Sequence, residues 1–413
     1  ACPVKVLLAR LIGFGTAPMI VAVVPLLVLP IAARIQGAEG WAAIGTGQAL
    51  GSLLAMISSY GWNVAGGARI AMAEHDDARR DVYAHSFWSR LAVFAVVGGV
   101  TAWIAATLVG GAFGGVAALV VLATGLTGLT MSWYAVGTGR ARMVLWFEAI
   151  PMAVFTAGSA LVMQLTGQIV AYPLLMIIGT LVGLAALHMH LFGRVVPPFH
   201  LPGIGRSFRQ NLPLASADGL GGSYTTAPVP ITQGLVGTQA AAELTSADKL
   251  YRVGLTAILI VGNTLQKWVL EAAWEQGRTR RHLVALALHF VVGIVGLLVL
   301  VILGPWLTAA FLGSAVAPPP SMFPAYGVTY LIISLTTPLI RNVLVPANRN
   351  RVVLTAIISS ACVGLPVMAL LGATVGATAV VWGLAASEVV VLTIVGIAAT
   401  KEILRQRALV AGA

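Results

Sequence analysis

Charged residues are scarce in this chain, and their scarcity decides its broad class. Asp, Glu, Lys and Arg make up 9% of the 413 residues, whereas 59% are hydrophobic and the mean hydropathy is +0.94. A soluble domain carries about 25% charged residues, so this composition excludes a large water-exposed surface. The solvent for most of the surface must be lipid.

Cysteine is also rare, and the motifs of several enzyme classes are missing. Cys2 and Cys362 lie far apart, so we expect neither a disulfide nor a metal framework. The sequence contains no G-x-x-x-x-G-K-[ST] loop for nucleotide phosphates and no H-E-x-x-H zinc motif. The net charge of +11 is spread over short connections, which is untypical of nucleic-acid binding. We therefore expect neither an enzyme nor a nucleic-acid-binding protein, and no cofactor.

Long apolar stretches recur along the whole chain and predict transmembrane helices. A helix needs about 20 apolar residues to cross the hydrocarbon core of a bilayer. The segments that meet this requirement are 7–31, 43–70, 87–110, 114–138, 143–165, 169–193, 210–235, 246–272, 283–303, 321–345, 350–371 and 376–400. The predicted fold is therefore an all-α integral membrane protein with twelve transmembrane helices.

The Lys and Arg residues mark one side of this predicted protein. All but three of the 24 fall in alternate connections or at the segment ends that face them. The exceptions are Arg34, Lys249 and Arg252. Cytoplasmic loops are enriched in Lys and Arg. The pattern predicts a multi-pass protein of the cell membrane with both termini in the cytoplasm.

The two halves of the chain match at a common offset of 200 residues, which for example relates Asn63 to Asn263. Between the halves, the basic and proline-rich stretch 194–209 is typical of a linker. We therefore predict two six-helix bundles, residues 1–200 and 201–413. Six helices return each half to the same side of the membrane, so the bundles should be related by a pseudo-two-fold axis along the membrane normal.

Two acidic residues lie within predicted spans without a partner nearby in the sequence. They are Asp218 in segment 7 and Glu388 near the middle of segment 12. Ionisable side chains are expensive in lipid and commonly mark ion pathways. Coupling to H⁺ or Na⁺ is one interpretation. Pairing with a helix that the sequence does not place is the other.

The cationic residues at membrane depth favour an anionic ligand. Arg34, Lys249 and Arg252 lie toward the outer half, and Arg69 ends segment 2 on the inner side. Arginine offers a fork of N–H groups that matches phosphate oxygens. Two structural alternatives stay open. Asp248, four residues before Arg252, could neutralise it, and Arg69 could extend to the lipid headgroups.

Amide side chains in the same segments are candidates for sugar recognition. Asn63 follows Trp62 in segment 2, and Asn263 lies in segment 8. A sugar needs amide or hydroxyl partners together with aromatic faces. Aromatic residues at the ends of transmembrane helices are, however, also ordinary interfacial residues.

Four stretches of the chain are typical of one known group of proteins. They read YGWNVAGGARIA at the end of segment 2, ADKLYRVGLTAILIVGNTLQKWVLEA in segment 8, PWLTAAFLG before segment 10 and VLVPANRNRVV after it. Over nearly its whole length the chain resembles the multidrug/oligosaccharidyl-lipid/polysaccharide (MOP) exporter superfamily. Within it, the chain resembles the Wzx-type flippases of polysaccharide and O-antigen synthesis.

The resemblance implies a function. The implied activity moves an undecaprenyl-diphosphate-linked oligosaccharide from the cytoplasmic to the outer leaflet by alternating access. It also implies that Arg34, Arg69 and Arg252 meet the diphosphate or anionic sugars. The partners to expect are the lipid-linked oligosaccharide, the membrane lipids and a polysaccharide polymerase, and the flippase itself is expected to be a monomer.

Competing functions make different demands on the sequence. A multidrug or cation antiporter of the same superfamily typically needs an acidic residue in the first helix, and segment 1 has none. A membrane glycosyltransferase or polymerase would need acidic residues in long outer loops. The outer connections near 110–114, 165–169, 303–320 and 371–376 carry no charge. The sequence therefore favours the flippase over both alternatives.

Overall fold

The described part of the molecule is helical throughout. A computed structural model describes residues 24, 27–140, 142–199, 204–271 and 278–411, and these ranges contain no strand. Ten helices in them are long and apolar enough to cross a membrane. The predicted all-α membrane fold is confirmed.

The helices follow the predicted segments in order. Residues 27–35 form α1, and the bulk of segment 1 lies outside the described residues. The helices after α1 are α2 (Gly37–Met72), α3 (Asp76–Val109), α4 (Gly111–Thr138), α5 (Arg142–Thr166), α6 (Ala171–Phe192), α7 (Ile204–Thr226 and Pro228–Leu235), α8 (Thr238–Leu270), α9 (Arg278–Leu312), α10 (Pro320–Leu344), α11 (Asn350–Thr374) and α12 (Ala377–Ala411). Helix α7 is too polar to stand among the ten apolar spans.

Several helices are longer than the segments that predict them. Helix α3 begins at Asp76, eleven residues before predicted segment 3, and α12 continues past residue 400 to Ala411. The apolar pattern measures only the part of a helix that lies in hydrocarbon. A helix continues into water wherever its backbone hydrogen bonds are satisfied, so the polar ends are not visible in that pattern.

The chain divides into two compact units, Ala1–Gly222 and Ser223–Ala413. The division therefore falls within α7. In the first unit, the ring of Phe208 on α7 lies 5.0 Å from the ring of Tyr60 on α2. The predicted bundle boundary at residue 200 stays a prediction.

Small residues bring α2 and α4 into direct backbone contact within the first unit. A Cβ atom at Gly47 would lie 2.6 Å from Val120 Cβ and 2.7 Å from the carbonyl oxygen of Ala117. One turn later, a Cβ atom at Gly51 would lie 2.6 Å from Thr124 Cβ. Helices in membranes associate through such small residues, because lipid supplies no hydrophobic force to bring them together. The Gly47–Gly51 pair therefore sets the spacing of α2 and α4.

The first residues of the predicted linker are held against the first unit. His188 Nδ1 donates a hydrogen bond to the carbonyl oxygen of Val195 over 2.8 Å. The indole N–H of Trp88 donates to the carbonyl oxygen of Pro198 over 3.1 Å, and the ring of Phe199 packs edge-on at 5.0 Å. This stretch therefore follows α6 in a fixed direction.

A buried carboxylate fastens the end of α12 in the second unit. Glu402 is 3% exposed and accepts hydrogen bonds from Arg349 at 3.0 Å and from Arg405 at 2.7 Å. Gln406 donates to the same carboxylate over 2.8 Å. The connection after α10 is thereby tied to α12.

The α2–α4 contact predicts a large effect of one methyl group. Gly47→Ala should lower the thermal unfolding midpoint of the purified protein in detergent, because overpacking costs about 1–3 kcal/mol. Gly158→Ala on α5 is the matched control, since nothing lies within 4 Å of a Cβ atom there. That control should keep or slightly raise the midpoint, as alanine favours helix. Equal midpoints for both variants would contradict the packing role of Gly47.

Candidate functional site

The first candidate region depends on a break in α2. The helix is interrupted at Tyr60 (φ 48°) and Gly61 (φ 72°), both in the left-handed region. A Cβ atom at Gly61 would lie 2.7 Å from Leu214 Cβ, so glycine is required both by the backbone and by the close approach of α7. The helix restarts at Trp62 and runs to Met72.

Arg69 lies on this second part of α2. Its Nη2 donates a 2.7 Å hydrogen bond to Oδ1 of the fully buried Asn211 on α7. Its guanidinium carbon lies 4.8 Å from the ring centroid of Trp62. An amide oxygen and an aromatic face orient a guanidinium, but neither neutralises it. The predicted site residue Asn63 lies on the same part of the helix and is exposed.

The second region is on α8, where the structure pairs Arg252 with Asp248. Arg252 Nε donates to Asp248 Oδ2 over 2.6 Å, and its Nη2 donates to the carbonyl oxygen of Thr225 over 3.0 Å. Asp248 is buried, whereas about a third of the Arg252 side chain (35%) is exposed. Lys249 follows directly and lies in the electrostatic field of both. The sequence left this pairing open, and in the structure it is formed.

The acidic candidates have different surroundings. Glu388 on α12 is 5% exposed, and its carboxyl group is hydrogen-bonded to the hydroxyl of Tyr224 on α7. Ser360 on α11 also contacts the Tyr224 hydroxyl. Asp218, in the α7 part of the first unit, is half-buried. Of the two alternatives for Glu388, a partner on a distant helix is therefore present, and that partner is uncharged.

Asn263 has a charged partner on another helix of the second unit. Its Oδ1 accepts a 2.5 Å hydrogen bond from Nη2 of Arg341 on α10, and Gln266 Oε1 accepts from the same nitrogen over 3.2 Å. Arg341 is one of the Lys and Arg residues that mark the predicted cytoplasmic side. The spacing of Asn263 and Gln266, three residues apart on one helix face, is the signal that could have identified a polar partner there.

Arg34, the remaining cationic candidate, is exposed near the end of α1 in the first unit. In the first unit, α2 therefore carries both Asn63 and Arg69. In the second unit, α8 carries both Lys249 and Arg252. Across the described ranges, no group of three or more His, Cys, Asp or Glu side chains could hold a metal ion.

A buried arginine in the first unit has a structural role that the sequence pattern did not indicate. Helix α4 leaves regular α-helical geometry near residues 126–131, which frees carbonyl groups. Arg90 on α3 is fully buried and donates to two of them, Gly128 at 3.1 Å and Thr130 at 2.8 Å. Glu148 on α5 lies within its field and lines a cavity of about 70 Å³. This cluster supports the broken part of α4.

Comparison with known proteins identifies the family. Residues 8–265, more than half of the chain, match the family of polysaccharide biosynthesis proteins. The chain belongs to this family. No curated protein sequence matches this chain.

Solved structures share the fold of this family member. A multidrug resistance MATE family transporter of the MOP superfamily, in an inward-facing conformation, is 13% identical over 94% of this chain and 96% of its own, with a TM-score of 0.70. The lipid II flippase MurJ, in an inward closed conformation, is 10% identical over 95% and 89%, with a TM-score of 0.75. A MATE structure in the bent conformation is 14% identical over 97% and 95%, with a TM-score of 0.55.

The family match and the shared fold agree with the predicted resemblance to the MOP superfamily. The neighbours are named as transporters or a flippase, and the chain shares their fold, while its ten long apolar helices support a multi-pass membrane protein. At such low identity, the structural likeness establishes the fold alone.

The ion pair on α8 predicts an asymmetric response to substitution. Asp248→Asn should lower the thermal midpoint, because removing one partner of a buried contact costs about 1–3 kcal/mol. Adding Arg252→Gln should restore part of the loss, since no charge is then left unpaired. The control is Asp77→Asn, which removes a 91% exposed carboxylate from its pair with Arg80 and should change little. An unchanged midpoint for Asp248→Asn would rule out a stabilising pair.

Proposed function

We propose that this protein is a flippase that moves an undecaprenyl-diphosphate-linked oligosaccharide from the cytoplasmic to the outer leaflet by alternating access. The observation that carries the proposal is Arg69, a guanidinium on a membrane helix whose described partners are neutral. Such a charge in the membrane costs free energy unless an anion compensates it during the transport cycle. Membership of the polysaccharide biosynthesis family and the shared fold with a lipid II flippase support a lipid-linked anionic substrate.

The candidate residues divide by chemistry in this proposal. Arg34, Arg69, Lys249 and Arg252 bind the diphosphate or anionic sugars, because phosphate oxygens match the N–H groups of arginine and lysine. Asp248 holds Arg252 in place, and about a third of the Arg252 side chain (35%) stays exposed. Asn63 and Asn263, both exposed, supply amide groups for sugar hydroxyls.

Asp218 and Glu388 are proposed to couple transport to H⁺ or Na⁺. A buried carboxylate is costly unless it is paired, protonated or bound to a cation. The hydrogen bond from Tyr224 to Glu388 supplies a donor without a compensating charge. Taking up a proton or a sodium ion is therefore a low-cost way to neutralise Glu388.

A multidrug or cation antiporter of the same superfamily is the alternative, and the buried Glu388 favours it, because an acidic residue attracts cationic drugs. The guanidinium of Arg69, held by a neutral amide and an indole, opposes it by repelling a cationic ligand. We therefore retain the flippase.

We also propose that it acts as a monomer in the cell membrane, with cytoplasmic termini and a polysaccharide polymerase as its functional partner.

The diphosphate-binding role predicts a loss of export. Arg69→Gln and Arg252→Gln should each reduce surface polysaccharide in a flippase-deficient host at least tenfold, since a hydrogen bond to a charged group contributes about 1.5–3 kcal/mol. Arg407→Gln, which removes an exposed arginine near the end of α12, is the matched control and should complement fully. Membrane insertion is checked by the amount of folded protein in the membrane fraction.

The Asp248→Asn/Arg252→Gln double variant separates structure from transport. If Arg252 binds substrate, this variant should regain stability and still fail to export glycan. Full export by the double variant and by Arg69→Gln would remove the diphosphate site. Wild-type efflux of cationic dyes without glycan export would favour the antiporter.

The coupling role predicts a change in ion dependence. In proteoliposomes, Glu388→Gln and Asp218→Asn should abolish the response of lipid-linked substrate transport to an imposed H⁺ or Na⁺ gradient, because neither amide binds these ions as a carboxylate does. Glu74→Gln, at an 88% exposed side chain, is the control and should respond as the wild type does. Variants that keep the full gradient response would show that these residues serve another purpose.

A further inference from the structure

Two arginines of the second unit converge on one buried carboxylate. Arg349, in the connection after α10, donates from Nε to Glu402 Oε2 over 3.0 Å. Arg405 on α12 donates from Nη2 to Glu402 Oε1 over 2.7 Å. The backbone N–H of Arg349 also donates to the carbonyl oxygen of Leu344 over 2.8 Å. These contacts hold both guanidinium groups at the same end of the second unit.

The single carboxylate cancels only one of these two positive charges. Glu402 is buried, whereas 49% of the Arg349 side chain and 52% of the Arg405 side chain are exposed. In both arginines, Nε and Nη2 are the nitrogens that contact Glu402. Nη1 of each arginine, which carries two further N–H groups, has no partner among the residues that the structure describes. The pair therefore keeps one net positive charge and donors that a ligand from outside can reach.

The two arginines lie where apolar helices end. The apolar span of α10 ends at Leu344 and that of α11 begins at Asn350, so Arg349 lies directly between two spans. Lys and Arg residues mark this end as the predicted cytoplasmic side. A residue that connects the ends of two membrane helices lies at the level of the lipid headgroups. Cations at that level attract anionic lipids of the cytoplasmic leaflet.

One face of α12 adds an exposed apolar surface next to the arginines. Ile397 and Leu404 are exposed and seven residues apart, so they lie on the same side of the helix. Lys401 is exposed on that side between them. The opposite side, which includes Val395 and Ala399, is buried in a core shared with α10 and α11. A phospholipid has the complementary pattern, since its acyl chains match the apolar residues and its phosphate matches the cations.

We propose that Arg349 and Arg405 bind the phosphate of an anionic phospholipid in the leaflet at this end of the helices. Nη1 of each arginine donates to a phosphate oxygen, Lys401 adds a third cation, and an acyl chain lies along the exposed apolar residues of α12. Glu402 holds the two guanidinium groups together against their mutual repulsion. The inference goes beyond the proposed function, because it does not depend on what the protein transports.

The test measures the binding of phosphatidylglycerol to the purified full chain in detergent by native mass spectrometry. Arg349→Gln and Arg405→Gln should each weaken this binding about fivefold, the attraction expected of one arginine for anionic lipid. Each variant leaves one arginine to pair with Glu402, so the fold should be retained. The matched control is Arg407→Gln, which removes an exposed arginine on another side of α12 and should change binding by less than about twofold.

Glu402→Gln separates lipid binding from a structural role of the cluster. The amide keeps a hydrogen-bond acceptor for the arginines but removes the negative charge, so the net charge of the cluster rises. Phosphatidylglycerol should therefore bind about fivefold more tightly. The thermal midpoint in phosphatidylcholine nanodiscs should fall, because the ion pairs are lost. A lower midpoint without tighter binding, or unchanged binding in both Arg349→Gln and Arg405→Gln, would overturn the site, since the cluster would then only connect α10 to α12.

Two further measurements identify the ligand. Phosphatidylcholine, whose headgroup carries no net charge, should bind equally to the wild type and to Arg349→Gln. Farnesyl diphosphate, which carries the diphosphate of an isoprenoid carrier, should not displace phosphatidylglycerol from the wild type. Displacement that Arg349→Gln abolishes would assign the arginines to the transported substrate and overturn the phospholipid site. An equal loss of phosphatidylglycerol binding in Arg407→Gln would also overturn it, because overall charge alone would then explain the attraction.

Discussion

A charge that lies among membrane helices must be satisfied by the protein, and most of the polar structure of this chain follows from that constraint. The molecule satisfies it in three ways. Arg90 uses backbone carbonyl groups freed by a break in α4. Arg252 uses a carboxylate. Arg69 and Arg341 use amide oxygens, which hold a guanidinium without cancelling its charge. Because Arg90 is fully buried and Arg252 is paired with a carboxylate, the partly exposed Arg69 and Arg341 are the ones of these four that keep attraction for an anion from outside the fold.

The helices could be predicted from the sequence because the signal for a transmembrane helix, a run of apolar residues, is local. Twenty apolar residues in a row predict a span wherever they occur, and the positions of the described helices follow the segments closely. The polar extensions of α3 and α12 were missed, since an apolar pattern ends where hydrocarbon ends. Segment 7 was found despite its polarity, although its helix already begins at Ile204.

The candidate site was only partly predictable, because its decisive contacts join residues far apart in the chain. Asp248 and Arg252 are four residues apart, so their pairing could be anticipated as an alternative. Asn211 lies 142 residues from Arg69, and Tyr224 belongs to a different helix from Glu388. Nothing in the local sequence connects such pairs. Arg341 was missed for the same reason, since its role depends on which face of α8 it meets.

The break at Tyr60 and Gly61 divides α2 into two parts, and both pack closely on α4. Before the break, a Cβ atom at Gly47 would lie 2.6 Å from Val120 Cβ. After the break, a Cβ atom at Gly137 on α4 would lie 2.6 Å from the carbonyl oxygen of Gly67, on the piece Trp62–Met72 that carries Arg69. A tilt of that piece would therefore move the guanidinium together with the end of α4.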